Sequence, residues 1–220
     1  MPNPFAPAFD RLPTTIPVFP LAGALLLPRG ILPLNIFEPR YLNMTQAAMS
    51  GDRAIGMVQP TEPETANRAP EIYRTGCAGR VTSYSETDDG RILITLTGLC
   101  RFDVAEELDP LEGYRRVRAD YVPYRADMSE AAAADIDRER LMTALKAFLG
   151  GRGIDANWKA IETLADDRLV AAMSMMCPFE PSEKQALLEA RDTADRARVL
   201  VALLEMAGGG ASDGAGRTSH

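Results

Sequence analysis

Hydrophobic and polar positions alternate with a period close to two over the first half of the chain. The alternation is clearest in "IPVFPL", "ILPLNIF", "RAIGMVQ", "RILITLTG" and "YRRVRADYV". A period of two places successive side chains on opposite faces of a strand. The pattern therefore predicts about six strands between Thr14 and Tyr124, which with one short helix indicate a compact, barrel-like β domain.

One helix is predicted among these strands, in "EPRYLNMTQAAMS". Pro39 suits the first helical position, where no amide donor is missed, and Gly51 ends the helical pattern. We expect Glu38 and Arg40 to form local hydrogen bonds at this strand-to-helix corner, with Tyr41 packed beneath them.

The period changes to that of a helix from about Ser129 onwards. Apolar residues recur three or four positions apart in several segments as far as "VLVALLEM", which predicts a bundle of four or five helices. Ser129 is the predicted N-cap of the first helix, and Ser182 with Gln185 resembles a capping box. The predicted class is α+β, with a β-rich part over residues 1–124, an α-helical part over residues 125–207 and a Gly/Ser-rich, disordered tail over residues 208–220.

The charge of the chain argues against a nucleic-acid partner. The formal net charge is −7, and hydrophobic residues at 46% with charged residues at 25% are ordinary values for a folded protein. Residues 1–125 carry 13 basic and 15 acidic side chains, and the remainder carries 11 and 16. Neither part has the surplus of positive charge that phosphate backbones require.

Residue types that support catalysis or metal binding are scarce. The only histidine is His220, and the three cysteines, Cys77, Cys100 and Cys177, show no C-x-x-C spacing. Neither a G-K-[ST] loop nor a G-x-G-x-x-G motif occurs. We therefore expect no enzymatic activity, no cofactor and no metal. The thiols are expected to be reduced, with Cys77 and Cys100 facing each other across a hairpin.

The segment from Leu25 to Met44 does not fit a transmembrane helix, because Pro28, Pro33 and Pro39 break it and Arg29, Glu38 and Arg40 would lie uncompensated in lipid. The run "PLAGALLLP" does not fit a signal peptide either, since only Arg11 precedes it and prolines punctuate this region at Pro17, Pro20 and Pro28. We expect no membrane partner and a cytoplasmic location.

The segment from Ile16 to Met44 resembles the start of the Lon protease amino-terminal domain, also called the Lon substrate-binding domain. The P-L-x-x-F-E-x-R-Y pattern of that family is present here as Pro33–Leu34–Asn35–Ile36–Phe37–Glu38–Pro39–Arg40–Tyr41. The likeness continues through "DRAIGMVQP", through the long hairpin with the turn "DDG", and through "CPFEPSEKQALLEARDTADRARVLVALLE". It spans roughly Thr14 to Ala207.

The resemblance implies a PUA-like β pseudo-barrel followed by a C-terminal helical bundle, and a role in recognising polypeptides for degradation. These 220 residues hold no Walker lysine and leave no room for an ATPase module or a Ser/Lys peptidase domain. We therefore expect a stand-alone, non-enzymatic binding protein. Its expected partners are unfolded or specific polypeptides, with a protease or a chaperone as a further partner, and self-association is left open.

Apolar residues of the motif region and of the helices are the candidates for contact with a peptide. They are Leu25, Leu26, Leu27, Phe37, Tyr41, Met173 and Met176, while Pro33, Leu34, Glu38 and Arg40 are expected to shape the motif. If "LLL" lies in a loop, one or two of its leucines form an exposed apolar patch, and otherwise all three belong to the core. The methionines offer flexible apolar surface, with core packing as the alternative.

Two other functions compete with peptide recognition. PUA-like folds often bind RNA, and "RRVR" with Arg115, Arg116 and Arg118 is the one basic cluster of the chain. The fold of the family also occurs in cereblon, which makes a small-molecule sensor the second alternative. The ligand pocket of cereblon lies in a separate zinc-bearing domain, whose cysteines have no counterpart here.

Overall fold

The computed structural model describes residues 7–62, 70–129 and 134–209. The described residues form six strands and six α-helices, so the predicted α+β class is confirmed. The chain divides into two compact units. The first unit comprises residues 1–130 and 178–188, and the second comprises residues 131–177 and 189–220.

Five of the six strands close into a ring. The strands are β1 Thr15–Pro20, β2 Ile31–Ile36, β3 Ala54–Val58, β4 Thr75–Glu86, β5 Ile92–Leu111 and β6 Tyr114–Asp120. Strand β5 pairs with β4, β4 with β3, β3 with β1, β1 with β6, and β6 again with β5. Among the described strands, β2 pairs only with β5 and lies at the outer end of the sheet.

The interior of the ring is filled by alternate side chains of its strands. Ile16, Val18, Cys100, Phe102 and Val117 belong to this core and are fully buried. The ring is narrow around Phe102. A Cβ atom at Gly56 or Gly76 would lie only 2.9 or 2.6 Å from the Phe102 Cζ atom, so glycine makes room for the aromatic ring at both positions.

The predicted helix forms as α1, Pro39–Ser50, with Pro39 in its first turn. It contacts β1, β3 and β6. Tyr41, Met44 and Ala48 lie on its buried face, as the helical spacing of these residues predicts.

Helix α5, Pro181–Glu189, makes up most of the segment 178–188, which belongs to the first unit. The Lys184 Nζ atom donates a hydrogen bond of 2.6 Å to the Gly23 carbonyl, and the Gln185 Nε2 atom donates one of 3.1 Å to the Thr75 carbonyl. Both side chains are buried. These long-range bonds explain why residues 178–188 pack with the strands, although the sequence pattern placed them with the helical part over residues 125–207.

The capping box predicted at Ser182 and Gln185 is not formed, because α5 begins at Pro181 and Ser182 therefore lies inside the helix and not at its N-cap. The start of α5 is capped differently. The Glu180 backbone N–H donates to the Glu183 carboxylate at 2.8 Å.

The second unit contains α2 Arg138–Gly151, α3 Trp158–Glu162, α4 Asp166–Met176 and α6 Thr193–Gly209. Its buried apolar residues include Leu141, Leu145, Phe148, Leu169, Val170, Leu200 and Leu204. Ser129 does not cap the first of these helices. The Asp137 side chain does, accepting a 2.9 Å hydrogen bond from the Arg140 N–H, whereas Ser129 follows a 3₁₀ helix at Val122–Met128.

The end of α6 lies beyond the predicted start of the tail, because the helix continues to Gly209. Residues 210–220 lie outside the described residues. Across the ranges that the structure describes, no helix has both the length and the apolar character that crossing a membrane requires.

All three cysteines are buried thiols that take part in no disulfide. In the β4–β5 register Cys77 lies opposite Arg101, and Cys100 lies opposite Ala78. Directly opposite residues of antiparallel strands share a face. Cys77 and Cys100 therefore point to opposite faces of the sheet, and the expectation that they face each other is wrong.

We expect the native thiols to resist modification. Burial raises the pKa of the Cys100 thiol to about 12, so this group stays protonated at mildly alkaline pH. Ellman's reagent should react slowly with the native protein and should titrate three thiols after denaturation. One rapid equivalent in the native state would show that a cysteine is accessible, contrary to the burial described here.

Candidate functional site

One exposed sheet face, formed by β2 and the first part of β5, is apolar. Ile31 is 66% exposed, Phe37 is 61% exposed and Leu93 is 44% exposed. Ile31, Pro33 and Asn35 pair with Thr97, Thr95 and Leu93, so these six side chains share one side of the sheet. Phe37 continues the same alternation, and the Arg91 guanidinium lies 5.8 Å from its ring centroid. We call Ile31, Pro33, Phe37 and Leu93 the apolar face.

The opposite side of the same strands explains why this face is left exposed. Ile36, Ile92, Ile94 and Leu96 alternate with the exposed residues and are buried. The alternating pattern thus assigns one side to the core, and the other side carries apolar residues that folding does not require. Exposed apolar residues that cluster on one surface are a common mark of an interaction site.

Leu25, Leu26 and Leu27, for which the sequence left both an exposed loop and core packing open, are 2%, 1% and 0% exposed. The alternative that all three belong to the core therefore holds, and none of the three is available for the peptide contact expected of them. Two glycines explain this packing, since Gly79 and Gly98 are direct partners in the β4–β5 ladder. A Cβ atom at Gly79 would lie 2.7 Å from Leu26 Cδ2. A Cβ atom at Gly98 would overlap the Leu27 carbonyl oxygen.

A tight turn carries the chain from the leucines into β2. The Gly30 N–H donates to the Leu27 carbonyl at 2.8 Å, with Pro28 and Arg29 between them. Arg29 has a φ of 64°, where a type II turn normally has glycine. Its side chain provides a reason for this exception, because the Arg29 Nη2 atom donates to the Asp127 carbonyl at 3.2 Å and to the Ser129 carbonyl.

The strand-to-helix corner has the hydrogen bonds that were expected there. The Arg40 Nε atom donates to the Glu38 carboxylate at 3.0 Å, and the Arg40 guanidinium lies 4.5 Å from the centroid of the Tyr41 ring. Tyr41 is 7% exposed and packs on Phe19, with 4.2 Å between ring centroids. Burial raises the pKa of Tyr41, so its hydroxyl stays protonated. Tyr41 supports the corner, and its burial leaves little of the ring for a ligand.

The two candidate methionines belong to the second unit and differ in exposure. Met173 is 6% exposed and packs in the helical core, whereas Met176 is 75% exposed. Of the residues proposed for peptide contact, Phe37 and Met176 are thus accessible, while Leu25–Leu27, Tyr41 and Met173 are buried.

Two residues of the apolar face, Ile31 and Leu93, were not among those predicted from the sequence to contact a peptide. The signal was available in the alternation of "RILITLTG", where Leu93 lies opposite in phase to the buried Ile92 and Ile94. What the pattern alone did not decide was which phase faces the core.

Another residue that sequence analysis missed is Arg101, which is 4% exposed. Its Nε and Nη2 atoms each donate to a different oxygen of the Asp127 carboxylate at 2.9 Å, and its Nη1 atom donates to the Leu188 carbonyl at 3.0 Å. The guanidinium also lies 4.7 Å from the Tyr124 ring centroid. Burial alone lowers the pKa of Arg101, but the hydrogen bonds that it donates to Asp127 and the negative charge of Asp127 raise the pKa above its ordinary value. Arg101 therefore stays charged and joins three segments of the first unit.

The basic cluster "RRVR" is already engaged by partners within the first unit. Arg115 makes a two-pronged pair with the Glu107 carboxylate at 2.6 and 2.7 Å. Arg116 donates to the Asp109 carbonyl at 2.9 Å, and Arg118 pairs with Glu106 at 3.1 Å. Acidic side chains next to the arginines reduce the positive field that a phosphate backbone requires.

The depressions of the described surface are open. One of about 540 Å³ is lined by α2 and α6 residues, among them the ion-paired Arg140 and Glu205. Another of about 440 Å³ is lined by Ile72, Glu107 and Arg115 among others. Ligand sites for small molecules are usually enclosed and mainly apolar, with a few converging polar groups. Among the described residues, no group of three His, Cys, Asp or Glu side chains could hold a metal ion.

The fold and the exposed face define an α+β domain with a partly closed sheet and an apolar surface on its outermost strand pair. The family model of the ATP-dependent protease La (LON) substrate-binding domain matches residues 15–206. The chain therefore belongs to this family, and the resemblance drawn from its sequence motifs is confirmed.

Full-length relatives are much longer than this chain. Lon protease 2 of Sorangium cellulosum is 26% identical over 204 residues, which cover 86% of this chain and 24% of that protein. Lon protease of Parabacteroides distasonis is 27% identical over 208 residues, which cover 91% of this chain and 25% of that protein. The chain spans about a quarter of the length of these relatives.

Solved structures agree on the fold. The N-terminal domain of the Mycobacterium avium complex Lon protease has a TM-score of 0.63 at 18% identity, over 86% of this chain and 97% of that chain. The Lon N-terminal domain protein from Xanthomonas campestris has a TM-score of 0.60 at 18% identity, over 86% and 98%. At this level of identity the likeness concerns the fold alone.

Proposed function

We propose that this domain recognises polypeptides for a proteolytic or quality-control system and that the apolar face makes the contact. The observation that supports the proposal is the exposure of Ile31, Phe37 and Leu93 on one sheet face of a domain from the substrate-binding family. An unfolded polypeptide presents the apolar side chains that a folded protein hides, and the apolar face offers them a place to bury area.

The size of the face favours weak, reversible binding. Fully burying one large apolar side chain contributes about 1.5–3 kcal/mol. Three such residues are opposed by the loss of translational and rotational freedom on association, which costs roughly 4–15 kcal/mol. The expected affinity is therefore modest, as suits a module that samples many chains and releases those that are folded.

Several finer features belong to the same proposal. We take the closed strand ring to be a PUA-like pseudo-barrel and the helices of the second unit to be a C-terminal bundle. The domain acts as a non-enzymatic, cytoplasmic binding protein, with a protease or a chaperone as a further partner. Met176, which is exposed on the second unit, is a second proposed contact.

The competing functions have less support. The arginines of "RRVR" are paired with Glu106, Glu107 and the Asp109 carbonyl, which disfavours RNA as the main partner. The open depressions with charged linings disfavour a small-molecule sensor.

Changing two residues of the apolar face should weaken polypeptide binding by about tenfold or more, since each tenfold corresponds to roughly 1.4 kcal/mol. The variant combines Phe37→Ser with Leu93→Thr, the latter retaining a residue suited to a strand. The probe is fluorescein-labelled, reduced and carboxymethylated α-lactalbumin, which stays unfolded, and fluorescence anisotropy gives the dissociation constant. The disulfide-intact form of the same protein is the folded control.

A matched surface control is Val122→Ser, which removes an apolar side chain that is 72% exposed and lies outside the apolar face. It should bind like the parent. Equal loss of binding in both variants would indicate non-specific hydrophobic adsorption. Met176→Ser, measured in the same way, tests the contact proposed for the second unit. No binding of the parent to the unfolded probe would contradict the proposal itself.

A further inference from the structure

We propose that a bound polypeptide lies as a short extended strand along the outer edge of β2, where Ile31 and Asn35 supply backbone hydrogen bonds and Pro33 withholds one. This inference rests on the proposed function, since it describes how the apolar face holds its polypeptide. It adds a directional backbone contact to the non-directional contact of the apolar side chains.

The turn that precedes β2 determines which residues of this strand are hydrogen-bonded to β5. The Arg29 N–H donates to the Gly98 carbonyl at 2.8 Å, and the Gly98 N–H donates to the Gly30 carbonyl at 2.9 Å. This is the pattern of a β-bulge with two residues opposite one. It makes the Gly30–Gly98 position a hydrogen-bonded one. In an antiparallel ladder such positions alternate with non-bonded positions.

The alternation assigns the remaining residues of β2. Leu32, Leu34 and Ile36 exchange hydrogen bonds with β5, while Ile31, Pro33 and Asn35 occupy the non-bonded positions. The backbone groups of the second set point away from β5. Because β2 is the outermost strand of the described sheet, these groups face its open edge.

Pro33 has a specific effect at this edge. Proline has no backbone N–H. At a position that is not hydrogen-bonded to β5, the missing N–H costs no bond to that strand. The edge consequently offers N–H donors at Ile31 and Asn35 only, with carbonyl acceptors at all three residues. About 13 Å separate the two donors at roughly 3.3 Å per residue, which matches a bound segment of about five residues.

A row of outward backbone groups is complementary to another extended backbone. The side chains of Ile31, Phe37 and Leu93 beside that row favour a segment with apolar residues at alternate positions. A second copy of this chain fits less well, because antiparallel pairing of two such edges over their full length, centred on Pro33, sets one proline opposite the other and loses a donor from each. A foreign polypeptide without proline at that position is therefore the better occupant.

The edge of β2 also differs from the end of β4, which is another stretch of strand with one unpaired side. Strand β4 pairs with β3 only as far as Arg80, so its last residues run beyond that partner. Thr82, Ser83, Ser85 and Glu86 are the exposed side chains there, and they offer hydroxyl and carboxylate groups in place of large apolar surface. At β2, by contrast, unpaired backbone groups and exposed apolar side chains lie side by side.

The test uses the full chain and the unfolded α-lactalbumin probe described above. Pro33→Ala adds a donor to the middle of the edge and should tighten binding by about three- to tenfold, the range expected for one hydrogen bond. Asn35→Pro removes a donor without breaking a bond to β5 and should weaken binding by a similar factor. Asn35→Ala keeps the N–H, so the ratio of the two Asn35 variants measures the backbone contribution separately from that of the side chain.

The outcomes separate this inference from the proposed function. If Phe37→Ser with Leu93→Thr weakens binding while Pro33→Ala and Asn35→Pro leave it unchanged, the face binds polypeptide and the edge pairing is wrong. If the parent protein binds no unfolded probe, both proposals fall. Should Asn35→Pro lower the melting temperature, Pro33→Ala decides alone, because this exposed position loses no hydrogen bond in the change. Tighter binding by Pro33→Ala supports the edge, and unchanged or weaker binding contradicts it.

Discussion

Replacing Arg101 by leucine is expected to lower the free energy of unfolding by about 3–5 kcal/mol, because the change leaves the Asp127 carboxylate, whose side chain is only 11% exposed, without its charged partner. Asp127 would lose two charge-assisted hydrogen bonds at once, and the Leu188 carbonyl would lose its donor. A loss of this size is a large part of the stability of an ordinary domain, which is about 5–15 kcal/mol.

Urea unfolding followed by far-UV circular dichroism measures this loss, with the m value checked for two-state behaviour. Arg118→Leu is the matched control, because Arg118 is an arginine of the same unit whose side chain is 60% exposed and pairs with Glu106. Exposed pairs of this kind contribute about 0–1 kcal/mol. Adding Asp127→Leu to Arg101→Leu should recover part of the loss, since the unpaired charge is then removed. Equal effects of Arg101→Leu and Arg118→Leu would contradict the role given to Arg101.

Gly98→Ala should destabilise the first unit by about 3 kcal/mol, at the upper end of the range for overpacked sites. The added methyl group would overlap the Leu27 carbonyl oxygen and lie 2.8 Å from its carbon. Backbone atoms have no alternative rotamer, so the chain around Leu27 must move. That movement disturbs the buried leucines and the hydrogen bonds that join Arg29 and Gly30 to Gly98.

Thermal unfolding and limited proteolysis of the variant test this expectation, with new cleavage expected near Leu25–Leu27. Gly150→Ala is the control, because Gly150 lies in α2 and a Cβ atom there meets nothing within 4 Å. In a helix this change should stabilise by about 0.5–1 kcal/mol. A Gly98→Ala protein as stable as the parent would mean that the loop does not pack on the glycine pair as described.

Local patterns in the sequence predicted the strands, helix α1 and the strand-to-helix corner. Each depends on residues close together in the chain, such as Pro39 at a helix start or the alternation around Ile94. The family motif is equally local, and it identified the domain before any contact was known.

Long-range contacts decided what the sequence left open. The burial of Leu26 depends on Gly79 and Gly98, which lie more than 50 residues further along the chain. Arg101 looked like an ordinary strand residue, because its partner Asp127 and the Leu188 carbonyl are remote in sequence. Which set of alternate residues in "RILITLTG" faces the solvent also depends on packing against distant parts of the chain. The apolar face could therefore be identified only from the structure.

The return of residues 178–188 to the first unit has a consequence for the chain as it emerges from the ribosome. All six strands have been synthesised once Asp120 is made, yet the segment that ends at Leu188 follows almost 70 residues later. At roughly 5–20 residues per second this is a delay of several seconds. During that interval the carbonyls of Gly23 and Thr75 lack the donors that α5 brings, and Arg101 lacks the Leu188 carbonyl. The six strands are therefore translated well before the contacts that complete their unit can form.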